Sequence, residues 1–246
     1  MLISYRRIPI ERSAMNNKRK MLLVMPIIAI LFGVGYTLVI GIAPSFDPPN
    51  LEFPISETDH IVRLAAYHTP DWGEPGVFHN GIDLVISDDV TIISPVSGTI
   101  TEVSENINPY AGNVLFGITI TVNWAFSVKF ALEPGFLDET NNSLQSSMIE
   151  ADMGQRVSVG DSLATLLFSD SYPHLHYALS YFGADVCAYN YSSSAAKSTF
   201  EAIALASNST ILYPYPAPNI FTRPLVIIPL ALLGIYAVGV IIVFRR

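Results

Sequence analysis

Two short stretches of this 246-residue chain hold three of its five histidines in positions that suit a shared metal ion. In "FHNGIDL" (78–84), His79 and Asp83 stand four residues apart with Gly81 midway between them. In "PHLHYAL" (173–179), His174 and His176 stand two apart. Side chains two apart on a strand point the same way. His174 and His176 therefore share a face, and Leu175, Tyr177 and Leu179 take the other. The same rule puts His79, Gly81 and Asp83 on one face, with Gly81 leaving room for an ion between its neighbours. Imidazole nitrogen and carboxylate oxygen are zinc ligands, and a catalytic zinc site keeps three protein ligands and an open position for water. Each pair alone has a plainer reading, as a loop histidine before a strand or two histidines on a polar strand face. Both together point to a metal.

These residues need strands to hold them, and the segment around them reads as β-rich. "GIDLVIS", "VTIISPVSGTITEVS", "NVLFGITITVNWAFSVKFAL" and "HLHYALSYF" are β-branched or aromatic runs broken by Gly, Pro, Asn and Asp. "GQRVSVGDSLATLLF" (154–168) reads as two short strands about a Gly160-Asp161 turn. Several short strands with close turns predict a sandwich or barrel. One helix is expected near 193–206, capped by Ser193 or Ser194, with Phe200, Ile203 and Ala204 as its apolar stripe. Cys187 is the lone cysteine, so no disulfide frames the domain.

The two ends differ from this middle. Residues 21–43 and 225–244 carry no charge and are each long enough to cross a hydrocarbon core of roughly 30 Å. The first is too long for the apolar region of a cleaved signal peptide, and Ala43 is followed by Pro44. Six bases precede the first stretch against one acid, and Arg245 and Arg246 follow the second. Basic flanks stay in the cytoplasm, so the chain is expected to be a two-pass cell-membrane protein with both termini inside. Residues 44–224 then face out, carrying five bases against 20 acids, a net charge of −15. Such a surface lacks the basic footprint that nucleic acid requires. Sequons at Asn141, Asn190 and Asn208 all fall in this outward part. The expected order is a basic tail (1–20), a span (21–43), a stalk (44–56), a β domain with its C-terminal helix (57–206), a Pro-rich stalk (207–224), a second span (225–244) and a cytoplasmic end (245–246).

The run "FHNGIDL…ISPVSGTI…GQRVSVGDSLATLL…PHLHYAL" resembles the core of the lysostaphin-type (LytM-like) zinc metallopeptidases, which cleave peptide cross-links of bacterial cell walls. Those enzymes pair His-x-Gly-x-Asp with a later His-Leu-His and carry a glycine-centred turn like "VSVGDSL" between them. The resemblance covers roughly residues 75–180. It implies a compact antiparallel β-sandwich, the LytM-like duplicated hybrid motif, with Zn2+ in a groove between loops. By motif position His79, Asp83 and His176 would be the ligands, and His174 the catalytic histidine beside them. The substrate implied is a peptide or cell-wall cross-link.

One departure from the family matters. Its second catalytic histidine, in a Tyr-x-His-Leu strand, has no counterpart in "NWAFSVKFALEPGF" (123–136), where Ala131 or Leu132 falls at that place. Glu133 lies close and is a possible accessory proton acceptor, although a surface carboxylate is the simpler reading. His68 is a second possible accessory, folding over the groove, against the simpler reading of an exposed loop histidine. Three functions remain open: a membrane-anchored zinc endopeptidase, a zinc-binding but catalytically weak envelope adaptor, and a metal-free β module of the lipoyl or fusion-adaptor kind. Metal content separates the third from the others, and hydrolysis separates the first two.

Overall fold

The β-branched and aromatic runs form ten strands in the computed structural model, which describes residues 47–108, 112–136, 138–169 and 171–212. They are β1 (Ile61–Ala65), β2 (Ile82–Ile86), β3 (Val90–Ile93), β4 (Gly98–Ile107), β5 (Val114–Thr121), β6 (Phe126–Glu133), β7 (Arg156–Val157), β8 (Ser162–Leu166), β9 (His174–Tyr181) and β10 (Ala184–Val186). Two helices accompany them, α1 (Asn142–Ser147) and α2 (Ser194–Ala206). The tail 1–20, the spans 21–43 and 225–244 and the end 245–246 lie outside the described residues. Among the described residues no helix is long and apolar enough to cross a membrane.

Eight strands make one antiparallel sheet in the order β1-β2-β9-β6-β5-β4-β7, with β10 paired to the end of β9. The period-2 alternation assigns its faces. Leu64, Leu84, Leu175, Leu132 and Phe116 lie opposite one another across five neighbouring strands, and none is more than 2% exposed. Each such side chain contributes roughly 1.5–3 kcal/mol by leaving water. The rows on the other face run Ala65, Asp83, His176, Ala131 and Arg63, Val85, His174, Glu133. A one-residue slip of β9 would therefore drive both histidines into the core.

The mostly β, antiparallel expectation holds, but the layers are unequal. Among the described residues the second sheet is the β3–β8 pair alone, whose Val90, Ile92, Leu163 and Leu166 join the same core. The two strands about Gly160-Asp161 do not pair with each other: β7 adds to β4, and β8 to β3. Gly160 has φ +88°, and the Asp161 carboxylate accepts the Ser158 N–H at 2.7 Å, so the turn sends the chain from one sheet to the other.

Helix α2 falls where its stripe predicts. Ser193 Oγ accepts the Ala196 N–H at 3.1 Å, a cap worth about 1 kcal/mol, and Ala196, Phe200, Ile203 and Ala204 are buried. The expected stalk 44–56 needs correction. From Leu51 on it belongs to the domain, because Leu51, Phe53 and Ile55 are at most 9% exposed and Leu51 bridges Ser192. Its apolar residues find partners in α2, Phe53 meeting Phe200 with ring centroids 4.8 Å apart. At the other stalk, Leu212 bridges Tyr67.

Candidate metal centre

Strands β2, β9 and β6 are neighbours, so the two sequence motifs meet across a strand boundary. Asp83 pairs directly with His176, and Val85 with His174. His79 arrives differently. It lies in the 66–80 loop ahead of β2, so it does not share a strand face with Asp83 as the spacing suggested. The loop is tied back on itself: the His79 N–H donates to the Thr69 carbonyl at 2.9 Å, and the His79 carbonyl accepts from the His68 N–H at 2.7 Å.

Each donor atom is aimed. His79 Nδ1–H donates to the Ala66 carbonyl at 2.8 Å. A carbonyl only accepts, so this bond fixes the proton on Nδ1 and leaves a lone pair on Nε2. Trp72 stacks on the same ring at 4.2 Å between centroids. Nε2 then faces Asp83 Oδ1 at 3.0 Å and His176 Nδ1 at 3.2 Å, and His176 Nδ1 stands 2.8 Å from the same carboxylate oxygen. His79 and Asp83 are each 1% exposed, and His176 is half-buried. Burial pushes the Asp83 carboxyl upward, but contacts from His176 and His79 outweigh it and hold the group well below the usual carboxylate range.

Three donor atoms this close offer a cation three ligands at once. Ligand atoms bonded tetrahedrally to zinc at roughly 2.0–2.1 Å lie about 3.3–3.4 Å apart, slightly wider than the observed separations. The donor set His79 Nε2, Asp83 Oδ1 and His176 Nδ1 therefore fits Zn2+. Gly81 serves this set in a way its position in the motif concealed. A Cβ there would meet His176 Nε2 at 2.5 Å and Cε1 at 2.6 Å. Its missing side chain makes room for the His176 ring, not for an ion.

His174 stands beside the trio without joining it. Its Nε2 lies 3.9 Å from Asp83 Oδ2 and 3.6 Å from Glu133 Oε1, while Nδ1–H donates to the Tyr172 carbonyl at 3.0 Å. At 3.6 Å the Glu133 contact is an ion pair rather than a hydrogen bond. Burial opposes charge on this ring, but Glu133 and Asp83 prevail and raise its pKa to about 9.

Glu133 overturns the surface-carboxylate reading. It is 8% exposed, and its Oε2 accepts from the Asn108 and Asn113 amides at 2.8 and 3.2 Å. Burial raises its pKa, yet His174 and the two amides hold it below the ordinary value. These asparagines, on either side of the β4–β5 connection, were not singled out from the sequence, since nothing local links them to Glu133. Register separates the two neighbours that precede Glu133. Ala131 lies opposite His176 on the metal face, whereas Leu132 belongs to the core row. His68 does not join the donors. It has φ +64° and stacks on Phe78 at 4.2 Å, bracing the loop that carries His79. The remaining histidine, His60, contacts the Asp89 carbonyl through Nδ1 at 3.1 Å.

No family model and no curated protein matches the sequence. Solved structures do resemble it. A zinc-containing peptidase from Vibrio cholerae is 18% identical, with a TM-score of 0.40 over 56% of this chain and 39% of that one. The catalytic domain of lysostaphin from Staphylococcus simulans is 16% identical, with a TM-score of 0.36 over 52% and 90%. A variant of the catalytic domain of the prophage-encoded protein EnpA from Enterococcus faecalis is 20% identical, with a TM-score of 0.37 over 60% and 95%. This chain thus spans well under half of the Vibrio protein, and the likenesses are distant.

Proposed function

We propose that the chain is a membrane-anchored, zinc-dependent endopeptidase of the lysostaphin type acting on cell-wall or envelope peptides. The observation that carries this reading is the convergence of His79 Nε2, Asp83 Oδ1 and His176 Nδ1 within 3.2 Å, with His174 beside them and outside the set. That is a three-ligand site with a separate proton-handling group. The anchoring reading rests on the uncharged stretches 21–43 and 225–244 and their basic flanks, which support a domain outside and both termini in the cytoplasm.

His79, Asp83 and His176 would hold a zinc ion, which would supply a Lewis acid for a scissile carbonyl and a water acidified to a pKa of about 7. The chain's own residues do the rest. His174 Nδ1 is committed to the Tyr172 carbonyl, so Nε2 is its working nitrogen. Facing two carboxylates, Nε2 is suited to keep a proton and donate it to the oxyanion as the carbonyl is attacked, or to the departing amine. Glu133, fixed at Oε2 by two amides, keeps Oε1 toward His174 and takes the place of the second histidine. General acid–base help of this kind is worth about 10²–10⁴ in rate.

A second reading has its own observation. Ala131 or Leu132 falls where the resemblance would put that histidine, and neither side chain can take a proton, so a zinc-binding but catalytically weak envelope adaptor also fits. Elemental analysis of the purified full chain, with hydrolysis assayed on wall-derived and simple glycine-containing peptides, tests both. About one zinc per chain with cleavage supports the peptidase, zinc without cleavage supports the adaptor, and a protein that takes up no zinc refutes both.

A further inference from the structure

We infer that Arg63 anchors a subsite for a carboxylate of the substrate peptide, about three residues along from the bond that is cut. This rests on the peptidase reading and adds a substrate class to it. Arg63 lies on β1, in the row Arg63, Val85, His174, Glu133, so it faces the same side of the sheet as the donor trio.

The charges of the domain single it out. Of the other bases among the described residues, Lys129 pairs with Asp185 at 3.7 Å, Lys197 lies over Tyr189 on α2, and Arg156 sits on the far edge strand β7. Arg63 is exposed, and among the described residues no carboxylate lies within ion-pair distance of it. Its guanidinium instead rests 5.8 Å from the centroid of the Tyr172 ring. A guanidinium held over an aromatic face at cation–π distance keeps its N–H edges free, and those edges match a carboxylate bidentately.

Tyr172 also sets the distance to the reaction. Its ring centroid is 5.4 Å from that of His174, which bounds the guanidinium within about 11 Å of the His174 ring, and Arg63 and His174 stand two strand spacings, about 10 Å, apart in their row. An extended peptide advances roughly 3.3 Å per residue, which makes that gap about three residues. The platform is held in place: Tyr172 has φ +61°, a left-handed conformation that costs a non-glycine residue energy, and its carbonyl is tied to His174 Nδ1. One residue thus positions the catalytic histidine and the cation together. On an outward segment of net charge −15, a cation in this place lets an anionic peptide approach a surface that otherwise repels it.

The test uses the full-length, zinc-loaded chain and a set of N-acetylated nonaglycine amides in which each glycine in turn is replaced by Glu or by Gln. Binding by calorimetry and kcat/KM are both read, with zinc content as a check on the site. Expected is a Glu-over-Gln preference of about 1.5- to fivefold, the range for an exposed charged pair, at one position two to four residues from the cut. In Arg63→Gln that ratio falls to about one. Equal handling of Glu and Gln at every position, or a preference that survives in Arg63→Gln, overturns the subsite while leaving the peptidase reading intact. Failure of the parent to bind or cleave any of these peptides overturns both.

Discussion

Gly81→Ala is a one-methyl perturbation whose consequence follows from three distances. The added Cβ would stand 2.5 Å from His176 Nε2, 2.6 Å from Cε1 and 2.9 Å from the Tyr177 carbonyl oxygen. Ordinary contact begins at 3.4 Å, so the ring must retreat by about 0.9 Å. The backbone cannot yield instead, because Tyr177 is held in the β2–β9 ladder opposite Ile82. Metal-ligand distances tolerate about ±0.2 Å, so this retreat takes His176 Nδ1 out of ligand position. Loss of a supporting contact around a metal typically costs 10–100-fold in affinity, about 1.4–2.7 kcal/mol, and crowding a packed site costs about 1–3 kcal/mol of stability. Because Gly81 does not have a positive φ, backbone strain adds nothing. Chelator competition measures the zinc affinity, and thermal unfolding of the metal-free protein measures the folding cost separately. A Gly81→Ala protein that holds zinc as tightly as the parent would refute the placement of the His176 ring.

Zinc at 100 times its dissociation constant stabilises the folded state by about 2.7 kcal/mol, or roughly 5–10 °C in Tm for a domain of this size. That shift is expected in the parent and in His174→Ala, whose hydrolysis is lost, and is expected to vanish in His79→Ala, Asp83→Ala and His176→Ala. A shift that persists in any of the last three removes that residue from the ligand set. Glu133→Gln should retain zinc and lower turnover about 10²-fold or more, and unchanged kinetics would return Glu133 to a structural role under the β4–β5 connection. Proteases added outside intact cells are expected to reach residues 44–224 and spare both termini, and a cytoplasmic signal from a reporter fused near residue 150 would reverse the topology.

What was legible in the sequence was whatever depends on local period. His174 and His176 on one strand face, the strands around them and the Ser193-capped helix all follow from side-chain alternation or capping within a few residues. Partnership was not legible. Gly160-Asp161 marks a turn, yet no local signal says that β7 leaves for β4 while β8 joins β3. Glu133 looked like a surface charge because Asn108 and Asn113 are 25 and 20 residues away in the chain. Gly81 was given the right importance for the wrong neighbour, since His176 reaches it from a strand almost a hundred residues later. The run 51–55 reads as part of the 44–56 stalk, although Leu51, Phe53 and Ile55 alternate inward as a strand's residues would.

The seam between β2 and β9 sets a timetable. Asp83 and His176 are 93 residues apart, and their carboxylate and imidazole meet only after these two strands have found each other. Contacts of such sequence separation are slow to form, because the loop must be closed before anything rewards it. The donor trio is thus complete only once β2 and β9 have paired, so zinc gains its full ligand set no earlier than that step. An interaction formed after the transition state leaves the folding rate alone and slows unfolding instead. A bound ion that joined after that step would act as a clasp that sets how long the folded domain persists. In the exposed setting proposed for it, metal scarcity would shorten the protein's lifetime before it altered the yield of newly folded chains.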